Sequence, residues 1–360
     1  MTHATPHWIS RNARPHGDQL VTKWLFGMAL LVAIMVVIGG VTRLTGSGLS
    51  MVEWRPLIGT LPPLNAAEWD RVYQLYQASP EYQQLNFGMS LAAFKNIFFW
   101  EYLHRVLGRI VGLVCLIPYL WFLFRGKLDR GLKLKGALLI FLVCAQGFMG
   151  WYMVKSGLVK DPEVSHFRLA AHLSLAFAIF GLAWWASLGL SHRAETGRVA
   201  PPPCYRNWAV TLLAVLCLQI IYGAFTSGMK AGYGFNTYPL MGGELMPQAL
   251  FSASPYWTNF VSDKFTVQFI HRWLGTCLAL GTLFFCWYTI KSEKINLFVS
   301  LWTKRLYGLV VIQFVLGVCT LLWIKDYPVI LPSIHQFMAL LLFASLLALI
   351  HQYGETKIKE

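Results

Sequence analysis

Apolar residues in this chain gather into eight runs, at about 24–42, 97–124, 134–155, 167–190, 207–228, 265–290, 304–324 and 331–352. A bilayer core about 30 Å thick takes roughly 20 apolar residues as a helix, which satisfies its own backbone hydrogen bonds. A transmembrane barrel would need alternating strands of about ten residues, and that alternation is not seen. The pattern therefore predicts an all-α integral membrane protein with eight transmembrane helices. Two connections, 43–96 and 229–264, are too long to be simple turns. In the first, Trp69, Val72, Tyr73 and Tyr76 recur at helical spacing. This predicts a short amphipathic helix, either resting on the membrane face or packing over the outer end of the bundle.

The runs repeat. "EYLHRVLGRIVG" from Glu101 aligns with "QFIHRWLGTCLA" from Gln268, and "QGFMGWYMVK" from Gln146 aligns with "QFVLGVCTLL" from Gln313. "AAHLSLAFA" around His172 aligns with "SIHQFMALL" around His335. "GGVTRLTGSG" from Gly39 and "YGAFTSGMKAG" from Tyr222 each end a helix and open a long loop. The chain thus reads as two pseudo-symmetric four-helix bundles. Four crossings return the chain to its starting side, so the repeats are parallel and related by an axis along the membrane normal. The expected division is an inner tail 1–23, a half 24–190, an inner linker 191–206, a half 207–352 and an inner tail 353–360. Three consecutive prolines and mixed charge mark the linker.

Composition agrees: 56% of residues are hydrophobic and 13% charged, with mean hydropathy +0.51. The net charge of +14 raises nucleic-acid binding as a function, but the placement of the basic residues argues against it. Seventeen of the 30 Lys and Arg fall in the short loops and tails of one side, among them Arg125, Lys127, Arg130, Lys291, Lys304 and Arg305. The positive-inside rule then places both termini on the cytoplasmic or matrix side. The seven cysteines lie in predicted helices, except Cys204 in an inner loop, and no CxxC or CxxCH occurs. Zinc knuckles and covalently attached c-type haem therefore lack support. The first run has no A-x-A cleavage site and is expected to be a retained helix.

Ionisable residues are costly inside a membrane and usually face the protein interior. His104, His172, His271 and His335 each lie one or two turns from the outer end of an even-numbered predicted helix. One intrahelical histidine alone reads as a packed, hydrogen-bonded residue, but four at repeat-equivalent depth read as ligands. Zinc needs three or four convergent donors, whereas pairs on separate helices suit the two axial positions of haem iron. His104 with His172, and His271 with His335, are the expected pairs. Glycines beside them (Gly108, Gly112, Gly275, Gly281) would let a porphyrin approach, or would serve close helix packing. Arg43, Arg105, Arg109, Arg168 and Arg272 are candidates for the haem propionates, with snorkelling to the headgroups as the alternative.

The halves differ at one position: Glu101 shares a helix face with His104, and Gln268 stands in its place beside His271. A carboxyl beside haem can exchange protons, so the contrast suggests one site for chemistry and one for electron transfer or structure. The alternative is a salt bridge from Glu101 to an arginine. Adjacency in sequence suggests that Arg105 points elsewhere on the helix.

"GGVTRLTGSGLSMVEWRPLIGTLPPL", "EYLHRVLGR", "AAHLSLA", "NTYPLMGGELMP", "FIHRWLG" and "SIHQFMAL", in this order from about residue 20 to 352, resemble the heme A synthase family. The resemblance is to its alphaproteobacterial and mitochondrial branch. Another branch carries a cysteine pair in the first outer loop, and no cysteine lies there in this chain. The resemblance implies oxidation of the C8 methyl of haem O to a formyl group, giving haem A for cytochrome c oxidase. Two successive hydroxylations would form a geminal diol that loses water. It implies that His104 and His172 flank the substrate, that Glu101 is the essential carboxylate, and that His271 and His335 hold a haem b cofactor. Expected partners are haem O synthase, an electron-transfer partner and cytochrome c oxidase assembly factors, with homo-oligomerisation left open. The expected location is a bacterial inner membrane with both termini cytoplasmic, ahead of a mitochondrial inner membrane. Rival readings are a di-haem b electron-transfer protein and a transporter.

Overall fold

A computed structural model describes residues 17–53, 61–157, 162–191, 203–292, 295 and 297–355. Among them are α1 (Gly17–Leu44), α2 (Ala66–Gln77), α3 (Pro80–Gln84), α4 (Leu91–Phe124), α5 (Arg130–Gly157), α6 (His166–Ser191), α7 (Pro203–Gly228), α8 (Lys264–Ile290), α9 (Leu297–Leu322) and α10 (Ile330–Glu355). All except α2 and α3 are long and apolar enough to cross a membrane. The protein is an all-helical integral membrane protein with eight candidate spans. Most of the linker and both terminal tails lie outside the described residues, as does "WRPLIGT" in the first outer loop.

Some helices outrun their apolar runs. The first begins at Gly17 rather than near 24, and α9 begins at Leu297 rather than near 304. Polar residues extend a helix into the interface, where water and headgroups solvate them. α4 begins at Leu91, where Ser90 caps it by accepting from the Ala93 amide at 3.2 Å. α7 begins at Pro203, a residue suited to a first turn because its missing N–H has no helical partner to lose. Cys204 is therefore helical and not in a loop.

The spans close into two rings. α1 packs on α4 and α6, and α5 bridges α4 and α6. Likewise α7 packs on α8 and α10, and α9 bridges α8 and α10. The rings meet through α6 on α7 and through α10 on both α1 and α6. α1, α6 and α10 are the most enclosed spans, while α5 and α9 turn large apolar side chains such as Phe141, Phe148, Leu301 and Val315 outward. Those residues suit contact with lipid tails. Polar contacts fasten the joint between the rings. Gln336 Nε2 donates to the Val36 carbonyl at 2.8 Å, and Arg43 donates to the Ser227 and Gly228 carbonyls at 3.1 and 3.3 Å. That cation caps the negative end of α7.

The first outer loop folds back onto the bundle. Trp69 meets Phe98 edge-on at 5.1 Å, and Tyr76, fully buried, stacks on Phe94 at 4.9 Å. Of the two placements open for this helix, packing over the outer end of the bundle is the one adopted, because the N-terminal extension of α4 supplies an aromatic platform. Trp69→Ala is expected to cost about 3 kcal/mol and to speed amide exchange over 66–77 while the spans stay protected. Hydrogen-exchange mass spectrometry would read this.

Candidate functional site

His104 on α4, His172 on α6, His271 on α8 and His335 on α10 each lie against a glycine on the span before their own. A methyl group on Gly39 would stand 3.0 Å from Cε1 of His104, and one on Gly150 would stand 3.4 Å from Cε1 of His172. For Gly223 and His271 the distance is 3.1 Å, and for Gly317 and His335 it is 2.9 Å. At Gly39, Gly223 and Gly317 a larger side chain would crowd the ring, while at Gly150 a methyl meets it at ordinary contact. Each ring is half-buried, and its Nδ1 is buried without a hydrogen-bond partner among the described residues. His104 and His172 stand on α4 and α6 of the first ring, and His271 and His335 on α8 and α10 of the second. Among the described residues no three or more His, Cys, Asp or Glu converge on one point.

Three glutamines add to this. The Gln146 amide nitrogen lies 3.2 Å from His172 Nε2, and that of Gln313 lies 3.4 Å from His335 Nε2. Gln219 donates to the His271 carbonyl at 2.9 Å, in space left by Gly275. A buried polar atom without a partner is costly. The Nδ1 atoms of the four histidines are among the buried polar atoms without a partner in the described residues.

The glycines expected beside the histidines do different work. Gly108 faces Met35, Gly275 faces Gln219, Gly281 faces Leu212 and Gly112 faces open space. A glycine on the histidine's own helix cannot clear room for its ring; the facing helix must do so. The aligned segments "QGFMG" and "QFVLG" held the signal for Gln146, Gly150, Gln313 and Gly317, but nothing local tied them to the histidines.

Glu101 is 2% exposed and accepts four hydrogen bonds. Ser50 Oγ and the Met51 amide donate to Oε2 at 2.7 Å each, while Arg105 Nε and Nη2 donate to Oε1 at 3.0 and 2.5 Å. Arg105 therefore does not point elsewhere: one helical turn from Glu101 returns it to the same face. Its guanidinium also holds the Met51 and Glu53 carbonyls at 2.8 and 3.2 Å. In the other ring Gln268 donates to the Phe235 carbonyl at 2.7 Å, and Arg272 Nη1 binds the Thr237, Leu240 and Pro239 carbonyls at 2.7, 3.2 and 3.3 Å. Both arginines thus clasp an outer loop to its bundle through backbone carbonyls, and only Arg105 is also paired with a carboxylate on its own helix. Arg168 stacks on Tyr152 at 4.8 Å and bonds Ser156, while Arg109 is partly buried on α4 beside Arg105 and Tyr102. His166 bonds the Val261 carbonyl at 2.8 Å and meets Phe225 edge-on at 5.3 Å.

Fold and site together define a polytopic helical membrane protein with four histidines inside its spans, each against a glycine of a neighbouring span. Residues 22–347 match the COX15-CtaA family, described as cytochrome oxidase assembly protein. A protein from Nitrosospira multiformis described as heme A synthase is 44% identical over 337 residues, covering 91% of this chain and 92% of its own. Proteins of the same description from Rhodospirillum centenum and Bradyrhizobium diazoefficiens are each 42% identical, covering 92% of this chain and 87% and 90% of their own. The chain belongs to the COX15-CtaA family.

Proposed function

We propose that this protein is a heme A synthase, an oxidoreductase that converts the C8 methyl of haem O to a formyl group by successive hydroxylations. Its product, haem A, would serve cytochrome c oxidase. The observation that carries the reading is the set of four imidazoles, each against a facing glycine and each with an Nδ1 that has no partner among the described residues. Such donors on separate helices fit the axial positions of haem. The two rings are read as parallel pseudo-symmetric repeats, 24–190 and 207–352, because the His–Gly and His–Gln contacts recur in both. His104 and His172 would hold haem O as substrate, and His271 and His335 would hold haem b.

Bound haem would supply the redox-active iron. The chain's own residues orient the ring, exclude water under the outer loops and handle protons. Glu101 is assigned to the substrate side because only that ring places a carboxylate one turn outward from its histidine. Arg43, Arg105 and Arg272 hold backbone carbonyls and Arg168 bonds Ser156; these four and Arg109 are the proposed candidates for the propionates. The lack of a cysteine in the first outer loop groups the chain with the branch that lacks that pair. Both termini are placed in the cytoplasm of a bacterium with the outer loops across the membrane, in keeping with Arg125, Lys127, Lys291 and Arg305 stacking on Trp121, Trp287 and Trp302 at the opposite end. Haem O synthase, as supplier, and an electron-transfer protein are the proposed partners.

The test is to purify the protein from cells supplied with haem O and identify its extracted haems by mass. Haem A and its alcohol precursor are expected beside haem b. His104→Ala should abolish conversion and keep haem b, whereas His271→Ala should lower haem b content. Haem b alone in every sample would instead make this a di-haem electron-transfer protein.

A further inference from the structure

A serine or threonine inside an apolar helix can return its hydroxyl to the carbonyl four residues earlier. Thr42, Thr276, Thr282, Thr303 and Ser345 all do so, at 2.7 to 2.9 Å. Thr226 on α7 and Thr320 on α9 do not: each has a buried Oγ1 with no hydrogen-bond partner among the described residues. Thr289 shares that state, but it lies at the inner end of α8, about five turns from His271.

The two threonines occupy matched places. Gly223 faces His271 and Gly317 faces His335. Thr226 and Thr320 each follow that glycine by three residues, which puts them on the same helix face. They stand about 4.5 Å further toward the outer end, close to the last residues of their helices, Gly228 and Leu322. The second ring thus carries two uncommitted hydroxyls outward of its two histidines. The first ring differs at both equivalent places. Thr42 follows Gly39 by three, but its hydroxyl is spent on the Ile38 and Trp100 carbonyls at 2.8 and 3.2 Å. Met153 follows Gly150 by three and has no donor at all.

We propose that Thr226 and Thr320 are binding residues for the haem carboxylates of the second ring, and that their hydroxyls make that site retain its haem while the first site exchanges its own. This rests on the heme A synthase reading, in which haem b stays bound and the product haem must leave. Haem b has no polar groups on its rim other than its two propionates, so a hydroxyl donor that meets the rim has a carboxylate as partner. Such a bond is charge-assisted, and the negative charge itself would be met by the arginines proposed above. A buried hydroxyl without a partner is destabilising. A carboxylate that accepts from it removes that cost, so the two threonines contribute to haem affinity and not to the fold.

Valine keeps the shape of threonine without its donor, and at these two positions it takes no hydrogen bond from the protein. The full-length protein in detergent, carrying its haem b, is mixed with excess apomyoglobin, and haem transfer is followed by absorbance. The double variant Thr226→Val, Thr320→Val should lose haem b on the order of tenfold faster than wild type. Serine at both positions should restore most of the retention, and Thr42→Val should leave the rate unchanged. The haem-free double variant should unfold at or above the temperature of the haem-free wild type, which a structural role for the hydroxyls would not allow. With haem b dimethyl ester, which has no carboxylate, wild type and double variant should lose haem at the same rate. Three results would each overturn the proposal and leave the enzyme reading intact: loss from the double variant at the wild-type rate, earlier unfolding of its haem-free form, or an undiminished difference with the ester. A wild type that holds haem b but makes no haem A overturns the enzyme reading, and the same transfer rates then still decide the role of the two threonines. A wild type that binds no haem b overturns both.

Discussion

Glu101→Gln is expected to lower haem O conversion at least ~100-fold while the protein keeps its fold and its haem b. The second ring supplies the reason for expecting a folded variant. There a glutamine occupies the equivalent position, and Arg272 still clasps its loop through four backbone carbonyls. In the variant, Arg105 would likewise keep the Met51 and Glu53 carbonyls, and the amide oxygen could still accept from Ser50 and Met51. What disappears is the negative charge and the capacity to take a proton. Glu101→Leu should behave differently. It strands a guanidinium whose side chain is 10% exposed, and breaking one side of a buried ion pair costs about 3–5 kcal/mol. Haem extraction with mass analysis and thermal unfolding in detergent separate the two effects. Conversion by Glu101→Gln within tenfold of wild type would remove Glu101 from the chemistry.

Gly317→Val should empty the second site. A Cβ there stands 2.9 Å from His335 Cε1, closer than carbon atoms pack, and valine adds two more methyls in the same space. Overpacking of this kind costs about 1–3 kcal/mol, and it falls on the ring assigned to the iron. Haem b content is expected to fall at least about tenfold, the equivalent of ~1.4 kcal/mol. The same change at Gly39 or Gly223, with Cβ distances of 3.0 and 3.1 Å to His104 and His271, should act similarly on its own site. Gly150→Ala, at 3.4 Å from His172, meets ordinary contact and should be tolerated. The measurement is haem stoichiometry by absorbance, with Gly46→Ala, where nothing lies within 4 Å but the φ is +66°, as a control for backbone strain alone. Full haem b in Gly317→Val would show that His335 does not need its present position to bind.

Much of this protein is a local property of its chain. Eight spans followed from run length, since hydrocarbon demands about 20 apolar residues per crossing whatever the helices pack against. The four histidines and the contrast of Glu101 with Gln268 followed from side-chain type and the repeat, which needs no coordinates. Helix ends were less legible: the first turns of α4 are capped by Ser90 and covered by Trp69 and Tyr76 packing on Phe94 and Phe98.

Tertiary structure decided what each of these residues meets. Which span turns a glycine toward an imidazole depends on the rotation of two helices about their axes, so Gly39, Gly150, Gly223 and Gly317 stood out only once the rings were closed. The partners of Arg43, Arg105 and Arg272 are backbone carbonyls, which every residue carries and no sequence pattern marks. Hydropathy and spacing are read along one dimension, whereas contact across a bundle is set by packing in three.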